Sequence, residues 1–319
     1  MCTYNGEAYL RQQLDSLLRQ TYPLMEIIIQ DDHSTDHTAE IAEAYGKEHP
    51  HIRLSVNPTR KGINDNFISA FAKARGEYIA VCDQDDIWEP EKIEKQMATI
   101  HGHLLCTCRS RPFSDTGEAT SFDPRTPNYH LIRLLYCSVP GHTILFHRRL
   151  LTLMPMPTAA LKTYYDVYLS LTAAAYGSLV LTDEVLVHQR RHPQAATYEK
   201  ADSRRSPSMA NGLYILWWSV THQHEVRPAM REYFRRRQRL LQGIKASTPL
   251  FEDAKHIIAL QTRAGLCSLL RLSLLHLKHR HHLFYTEGSG IVNFFRAMLY
   301  CVMQVYNYRY LIRRGKSSD

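Results

Sequence analysis

The apolar positions of the first hundred residues change period several times. Leu10, Leu14, Leu17 and Leu18 fall on one helix face, and Gln20-Thr21-Tyr22-Pro23 closes that helix. Residues 26–32 (EIIIQDD) hold a short β-branched run, which predicts a buried strand. Ser34 or Asp36 can cap the next helix, whose inner face is Ile41, Ala42 and Tyr45. Residues 52–56 (IRLSV) predict a second strand. Phe67, Ile68, Phe71 and Ala72 predict a helix ended by Gly76, and residues 78–82 (YIAVC) a third strand. Pro90, Ile93, Met97 and Ile100 begin another helix. Strands alternating with helices predict βαβ units, hence an α/β fold with a mostly parallel sheet covered on both faces.

The second half is less regular. Residues 101–130, rich in Pro, Ser, Thr and Arg, read as a variable connection. Residues 142–151 (HTILFHRRLL) resume strand then helix. Residues 164–192 predict a helix ended by Gly177, followed by one or two strands. After residues 203–207 (SRRSP) the chain becomes helical and basic, so residues 1–205 are expected as one domain and 206–319 as a basic amphipathic helical region.

Composition narrows the class. Hydrophobic content of 44% with 22% charged residues belongs to a folded globular chain. Seven scattered cysteines form no C-x-x-C pair, so zinc is not expected and a reducing compartment is. The net charge of +8 is unevenly spread. Residues 1–226 carry 22 Lys and Arg against 26 Asp and Glu, a net of −4, while residues 227–319 carry 17 against 5, a net of +12. A catalytic domain followed by a segment that meets an anionic surface fits this split. No leader is visible and no 18-residue apolar run exists; Ile291 to Tyr306 is interrupted by Asn293, Arg296 and Gln304. A cytoplasmic location is expected.

The candidate chemistry sits at strand ends. Residues 83–88 (DQDDIW) crowd Asp83, Asp85 and Asp86 after the third strand, where like charges repel unless a cation or hydrogen bonds offset them. Asp31-Asp32 closes another strand. Ligands of parallel sheets collect at the carboxyl edge, so two acidic clusters on that rim point to a site rather than to solvated turns.

Four ordered stretches carry a resemblance: CTYNGEAYLRQQLDSLLRQTYP, IIIQDDHSTDHT, GEYIAVCDQDDIWEPEKIEKQ, and DVYLSLTAAAYG running on to HQRRH. Over residues 1–195 the chain resembles family-2 glycosyltransferases of the GT-A fold, nearest to bacterial rhamnosyltransferase-like enzymes of surface polysaccharide synthesis. The resemblance implies a metal-dependent inverting transfer from a dTDP- or UDP-sugar, rhamnose-like by preference, to a glycan or lipid-linked glycan. A Mg²⁺ or Mn²⁺ ion would neutralise the diphosphate leaving group. By that resemblance Asp83 contacts nucleotide and Asp85 binds metal. Asp31 and Asp32 accept from the pyrimidine, Thr3, Tyr4 and Glu7 wrap base and ribose, and Arg190 and His192 meet diphosphate and metal. Asp166 is the base, and Gly141 and His142 line the acceptor cleft. Asp86 is read as second-shell support or, with slight preference, a helix cap, and Asp166 carries an N-cap reading as its alternative.

Two departures from the family pattern stand out. His33 replaces a glycine at a position suited to positive φ. The chain opens at Met1-Cys2, where the family has a longer apolar first strand; the expectation is either a misassigned start with a longer working protein or a truncated, impaired paralogue acting as a binding partner, and lower stability for the chain as it stands. Nucleotidyl transfer is a weaker reading, because residues 3–7 (TYNGE) lack a Gly-rich, Lys-containing phosphate loop. In the tail, residues 269–284 (LLRLSLLHLKHRHHLF) could lie on the anionic inner face of the plasma membrane, or pack as a helical subdomain on the catalytic core. No nucleic-acid module is recognisable.

Overall fold

The computed structural model describes residues 1–117, 120, 122–155, 163–193, 209–284 and 290–314. In chain order it contains β1 (Cys2–Thr3), α1 (Leu10–Leu18), β2 (Ile27–Asp31), α2 (Thr38–Glu48), β3 (Ile52–Val56), α3 (Ile63–Lys73), β4 (Tyr78–Ala80), β5 (Ile87–Trp88) and α4 (Lys92–Ile100). Next come β6 (Leu105–Phe113), α5 (Leu131–Leu134), a 3₁₀ turn (Gly141–Thr143), β7 (Leu145–His147), α6 (Arg149–Leu153), α7 (Tyr165–Ala175) and β8 (Leu179–Arg190). The helices α8 (Met209–Thr221), α9 (Gln223–Gly243), α10 (Pro249–Gln261), α11 (Leu266–Lys278), α12 (Arg280–Leu283), α13 (Gly290–Asn307) and α14 (Tyr310–Arg314) follow.

The predicted periodicities are realised in the first hundred residues. Leu10, Leu14 and Leu17 are buried on α1, Ile41 and Ala42 on α2, and Ile93 and Ile100 on α4. Strands β1, β2 and β3 pair in parallel, with Thr3 opposite Asp31 and Asp31 opposite Val56. The other five strands run in the order β4-β7-β6-β8-β5, where only β6–β8 is parallel. The sheet is therefore mixed rather than mostly parallel. β1 joins the two parts at their carboxyl ends, since the Cys2 amide donates to the Cys82 carbonyl while Asp32 donates to Thr3. An apolar cavity of about 460 Å³ lies beside Met1, lined by Ile27, Ile28, Phe71, Ala80 and their neighbours.

Residues 101–130 are corrected by the structure. They contain β6, a nine-residue strand paired on both sides, with Leu105, Cys106, Thr107 and Cys108 fully enclosed. Small Cys and Thr side chains fit between packed layers, but their polarity hides a strand from a hydropathy reading.

The basic region folds as helices against the sheet domain. Val226, Phe234, Leu241, Phe251 and Ile257 share one continuous core with Leu134, Tyr168 and Phe146. The packing alternative read from the tail is thus realised, while the expected boundary at 205/206 falls outside the described residues. No helix among the described residues is long and apolar enough to cross a membrane.

Candidate active site

The loop after β4 turns its carboxylates inward. Asp86 is only 2% exposed; its Oδ1 accepts from the Arg190 amide at 3.1 Å and its Oδ2 has no partner. His142 lies across from it, with Nδ1 at 3.8 Å from Asp83 Oδ2 and 4.0 Å from Asp86 Oδ2, and Nε2 buried without a partner. Ligand atoms of Asp83, Asp86 and His142 lie within 4.8 Å of one another. Although 38% of the Asp83 side chain stays open, burial of its carboxyl and the neighbouring Asp86 push it up to about 7. Burial also raises Asp86 well above the carboxylate range and lowers His142, which favours the neutral imidazole. Two orphaned polar atoms facing crowded carboxylates fit a hard divalent cation, because a cation offsets both the lost hydration and the like-charge repulsion. Asp86 is not a helix cap; Glu91 holds the cap position of α4.

Asp85 and His192 also meet. Asp85 Oδ2 lies 2.8 Å from His192 Nε2, and the His192 ring packs on Tyr9 at 4.6 Å. Arg190, expected to clamp phosphate, is instead a buried post beneath this loop. Its Nε donates to the Asp85 carbonyl at 2.8 Å, its Nη2 to Gln12 at 2.5 Å and its Nη1 to Asp115. Tyr9 and Phe113 sandwich its guanidinium. A planar side chain at 3% exposure, held this way, braces the loop at the Asp85 carbonyl, while the Arg190 main-chain amide holds Asp86.

At the end of β2, Asp31 accepts from Thr3 Oγ1 at 2.7 Å and from both Ser34 N and Ser34 Oγ. Asp32 accepts from Asn57 and from the Lys61 and Gly62 amides. These bonds lock three loops around the strand end, and both carboxylates are nearly inaccessible. Tyr4 is tied to Gln84 by paired bonds of 2.8 and 3.1 Å, and the Arg60 guanidinium lies 4.0 Å above its ring. Glu7 points the other way, accepting from the His37 amide at the start of α2. His33 adopts φ 65°, the left-handed conformation its position requires, with Nδ1 at 3.2 Å from the Asn57 carbonyl.

On the opposite wall, Asp166 is the second residue of α7; Tyr164 occupies the cap position without a side-chain cap bond, so the N-cap alternative fails. Burial raises the Asp166 carboxyl, while the Val167 amide and the Ser138 hydroxyl hydrogen-bond to it. Tyr165 separates Asp166 from the acidic loop. Its ring stacks on Phe67 at 4.2 Å and its hydroxyl fills the space a Cβ on Gly141 would occupy, which is why glycine stands there. Gly141 and His142 thus connect Tyr165 to the carboxylate cluster.

Several site residues escaped the sequence reading. Gln84, Arg60, Asn57, Gln12, Tyr9 and Tyr165 act through contacts between segments far apart in the chain. Only Gln84, inside the DQDD run, carried a local signal.

Residues 1–152 match the model of glycosyl transferase family 2. An uncharacterized protein of Mycobacterium tuberculosis is 30% identical over 213 residues, 64% of this chain and 61% of that protein. The putative teichuronic acid biosynthesis glycosyltransferase TuaG of Bacillus subtilis is 34% identical over 125 residues, 39% of this chain and 47% of its own. The chain thus spans about three fifths of the length of the first curated relatives it matches. Among solved structures, Staphylococcus aureus TarS 1–349 in complex with UDP-GlcNAc superimposes with a TM-score of 0.56 at 16% identity, covering 100% of this chain and 90% of that one. A parallel β1–β2–β3 unit, an acidic loop after β4 and this shared architecture place the chain on the GT-A fold, with residues 1–152 similar to glycosyl transferase family 2.

Proposed function

We infer that the protein is a metal-dependent inverting glycosyltransferase that moves a sugar, rhamnose-like by preference, from a dTDP- or UDP-sugar to a glycan acceptor of bacterial surface polysaccharide. The observation that carries this reading is the cluster of Asp83, Asp86 and His142 after β4, with Asp85 of the same loop paired to His192. The UDP-GlcNAc named for TarS and the teichuronic acid pathway named for TuaG supply the donor and acceptor classes.

Carboxylates and imidazoles of that rim are the residues that would hold Mg²⁺ or Mn²⁺, whose charge would stabilise the departing diphosphate. The rest is the chain's own work. Tyr4, with Arg60 stacked upon it, offers a platform for the base, and Asp31 and Asp32 set the loop that bounds it. Asp166 takes the acceptor hydroxyl proton as that oxygen bonds to the anomeric carbon and the bond to the nucleoside diphosphate breaks. A carboxyl raised by burial suits a base working near neutral pH. Arg190 contributes by fixing the loop.

The test is nucleoside-diphosphate release from dTDP-rhamnose and UDP-sugars with Mn²⁺ or Mg²⁺. Asp166→Asn should lose transfer yet retain nucleotide binding, and Asp85→Ala should lose both transfer and metal-dependent binding. Unaltered transfer by Asp166→Asn would remove it as the base.

A further inference from the structure

The helical region leaves one face uncovered. On α11, Leu272 and His276 are buried while Leu266, Leu270 and Leu274, spaced by four, point outward. On α13, Ala297, Cys301 and Val305 are buried while Ile291, Phe295 and Met298 point outward. Exposure of these six side chains runs from 37% for Met298 to 74% for Ile291. The two helices are locked side by side, with Ser273 Oγ donating to the Met298 carbonyl at 2.8 Å and lying 3.3 Å from Cys301 Sγ. Helical spacing puts the α11 stripe roughly opposite its buried residues and the α13 stripe about a quarter turn from its own, next to the helix–helix seam. The stripes therefore form one surface. Helix α8, packed on the other flank of α13, adds Leu213, Trp217 and Val220, each more than half exposed. Apolar area on this scale is not left facing water without an occupant.

Charge decides among occupants. Residues 266–314 hold seven Lys and Arg against one acid, Glu287. Arg271 lies exposed along the rim of the α11 stripe, and Lys278, also exposed, is ion-paired with Asp253 of α10. A second copy docked on the same face would bring like charges together, which opposes association. An anionic bilayer complements both the apolar stripes and the basic rim. At 13 and 18 residues, about 20 and 27 Å long, α11 and α13 suit lying in the interface, and neither is apolar enough to cross.

We propose that the outward face of α11 and α13 docks on an anionic lipid surface, inserting Leu266, Leu270, Leu274, Ile291, Phe295 and Met298 below the headgroups, with Arg271 and Lys278 at headgroup level. Docking is independent of the transfer reading: a chain without transferase activity would still bind. It would bring the catalytic domain to the surface where a lipid-linked acceptor resides.

Flotation of the full chain with phosphatidylcholine vesicles, with and without phosphatidylglycerol, tests this. Binding should need phosphatidylglycerol and weaken with salt. The triple variant Leu270→Ser, Leu274→Ser, Phe295→Ser should bind on the order of 100-fold more weakly, with an unchanged melting temperature. Should that variant fold poorly, Arg271→Glu together with Arg263→Glu, Arg263 being exposed in the connection just before α11, tests the same surface through charge alone, and should bind on the order of tenfold more weakly. Wild-type chain that stays with neither vesicle, or a folded variant that floats like wild type, overturns the proposal. So does a lipid-free dimer that the triple variant abolishes, since the face would then be an interface between copies.

Discussion

The acidic rim of the sheet domain and the core of the helical region both bury ionisable groups, carboxylates in the one and basic side chains in the other. At the carboxyl edge of the sheet, burial pushes Asp83 up to about 7 and raises Asp86 further, with His142 close by and two polar atoms left unpartnered. In the helical region the buried groups are Arg237 and His276. Arg237 is held by Tyr233 and the Leu134 carbonyl, and His276 by the Tyr136 hydroxyl at 2.6 Å. The same desolvation that raises a carboxyl drives His276 down to about 3. Much of the polarity in the helices is answered inside the chain. The acidic rim is answered only in part, and that shortfall is what marks it as a binding site.

The comparison can be broken most decisively at Asp85. Asp85→Ala should cut nucleoside-diphosphate release on the order of 10³-fold while the far-ultraviolet spectrum stays unchanged. A rate within a few-fold of wild type would mean the rim is ordinary surface.

Arg190 sharpens the claim that the rim is held from beneath. Arg190→Met strips Asp85, Asp115 and Gln12 of one shared partner, so denaturant unfolding should show a loss of about 3 kcal/mol. A small stability change with a selective loss of nucleotide affinity would instead restore the phosphate-clamp role.

Opposite pH behaviour provides the third test. His276 is neutral when folded and has a folded value near 3 against an unfolded value of about 6.5. Its contribution is therefore present above pH 6.5 and lost as pH falls, because only the unfolded chain takes up the proton. Between pH 7.5 and 5 this amounts to about 2 kcal/mol, and His276→Gln should flatten the acid limb of the melting curve by that order. An identical acid limb in the variant would place the sensitivity elsewhere.

The smallest effect concerns the cavity beside Met1. Ala80→Val adds two methyl groups beside it on β4, and should stabilise by about 0.5 kcal/mol in metal-free protein. Destabilisation would show that the neighbouring strands are too tightly packed to accept the added volume.

Legibility followed the range of each interaction. The alternation of helix and strand through residue 100 was readable, because Leu10–Leu14–Leu17 and Ile27–Ile29 reveal their faces through local spacing. Strand β6 was not, since Cys and Thr side chains conceal a buried strand. Nor was the mixed pairing of β4, β7 and β5, which depends on where distant segments return. At the site, Asp85 with His192 was anticipated and is a contact of 2.8 Å across more than a hundred residues. Arg190 was placed correctly beside the rim but given the wrong orientation, because nothing local announces Gln12 or Asp115 as its partners.

By itself the sequence determined that carboxylates gather at strand ends, that a family-2 pattern orders them, and that the basic excess belongs to the tail. Spacing and composition encode those facts directly. The tertiary structure decided which carboxylates are satisfied and which are left without a partner. It also decided which leucines of the tail enter the core and which stay outside. Both outcomes depend on desolvation by residues remote in the chain, and burial of that kind exists only once the segments have packed.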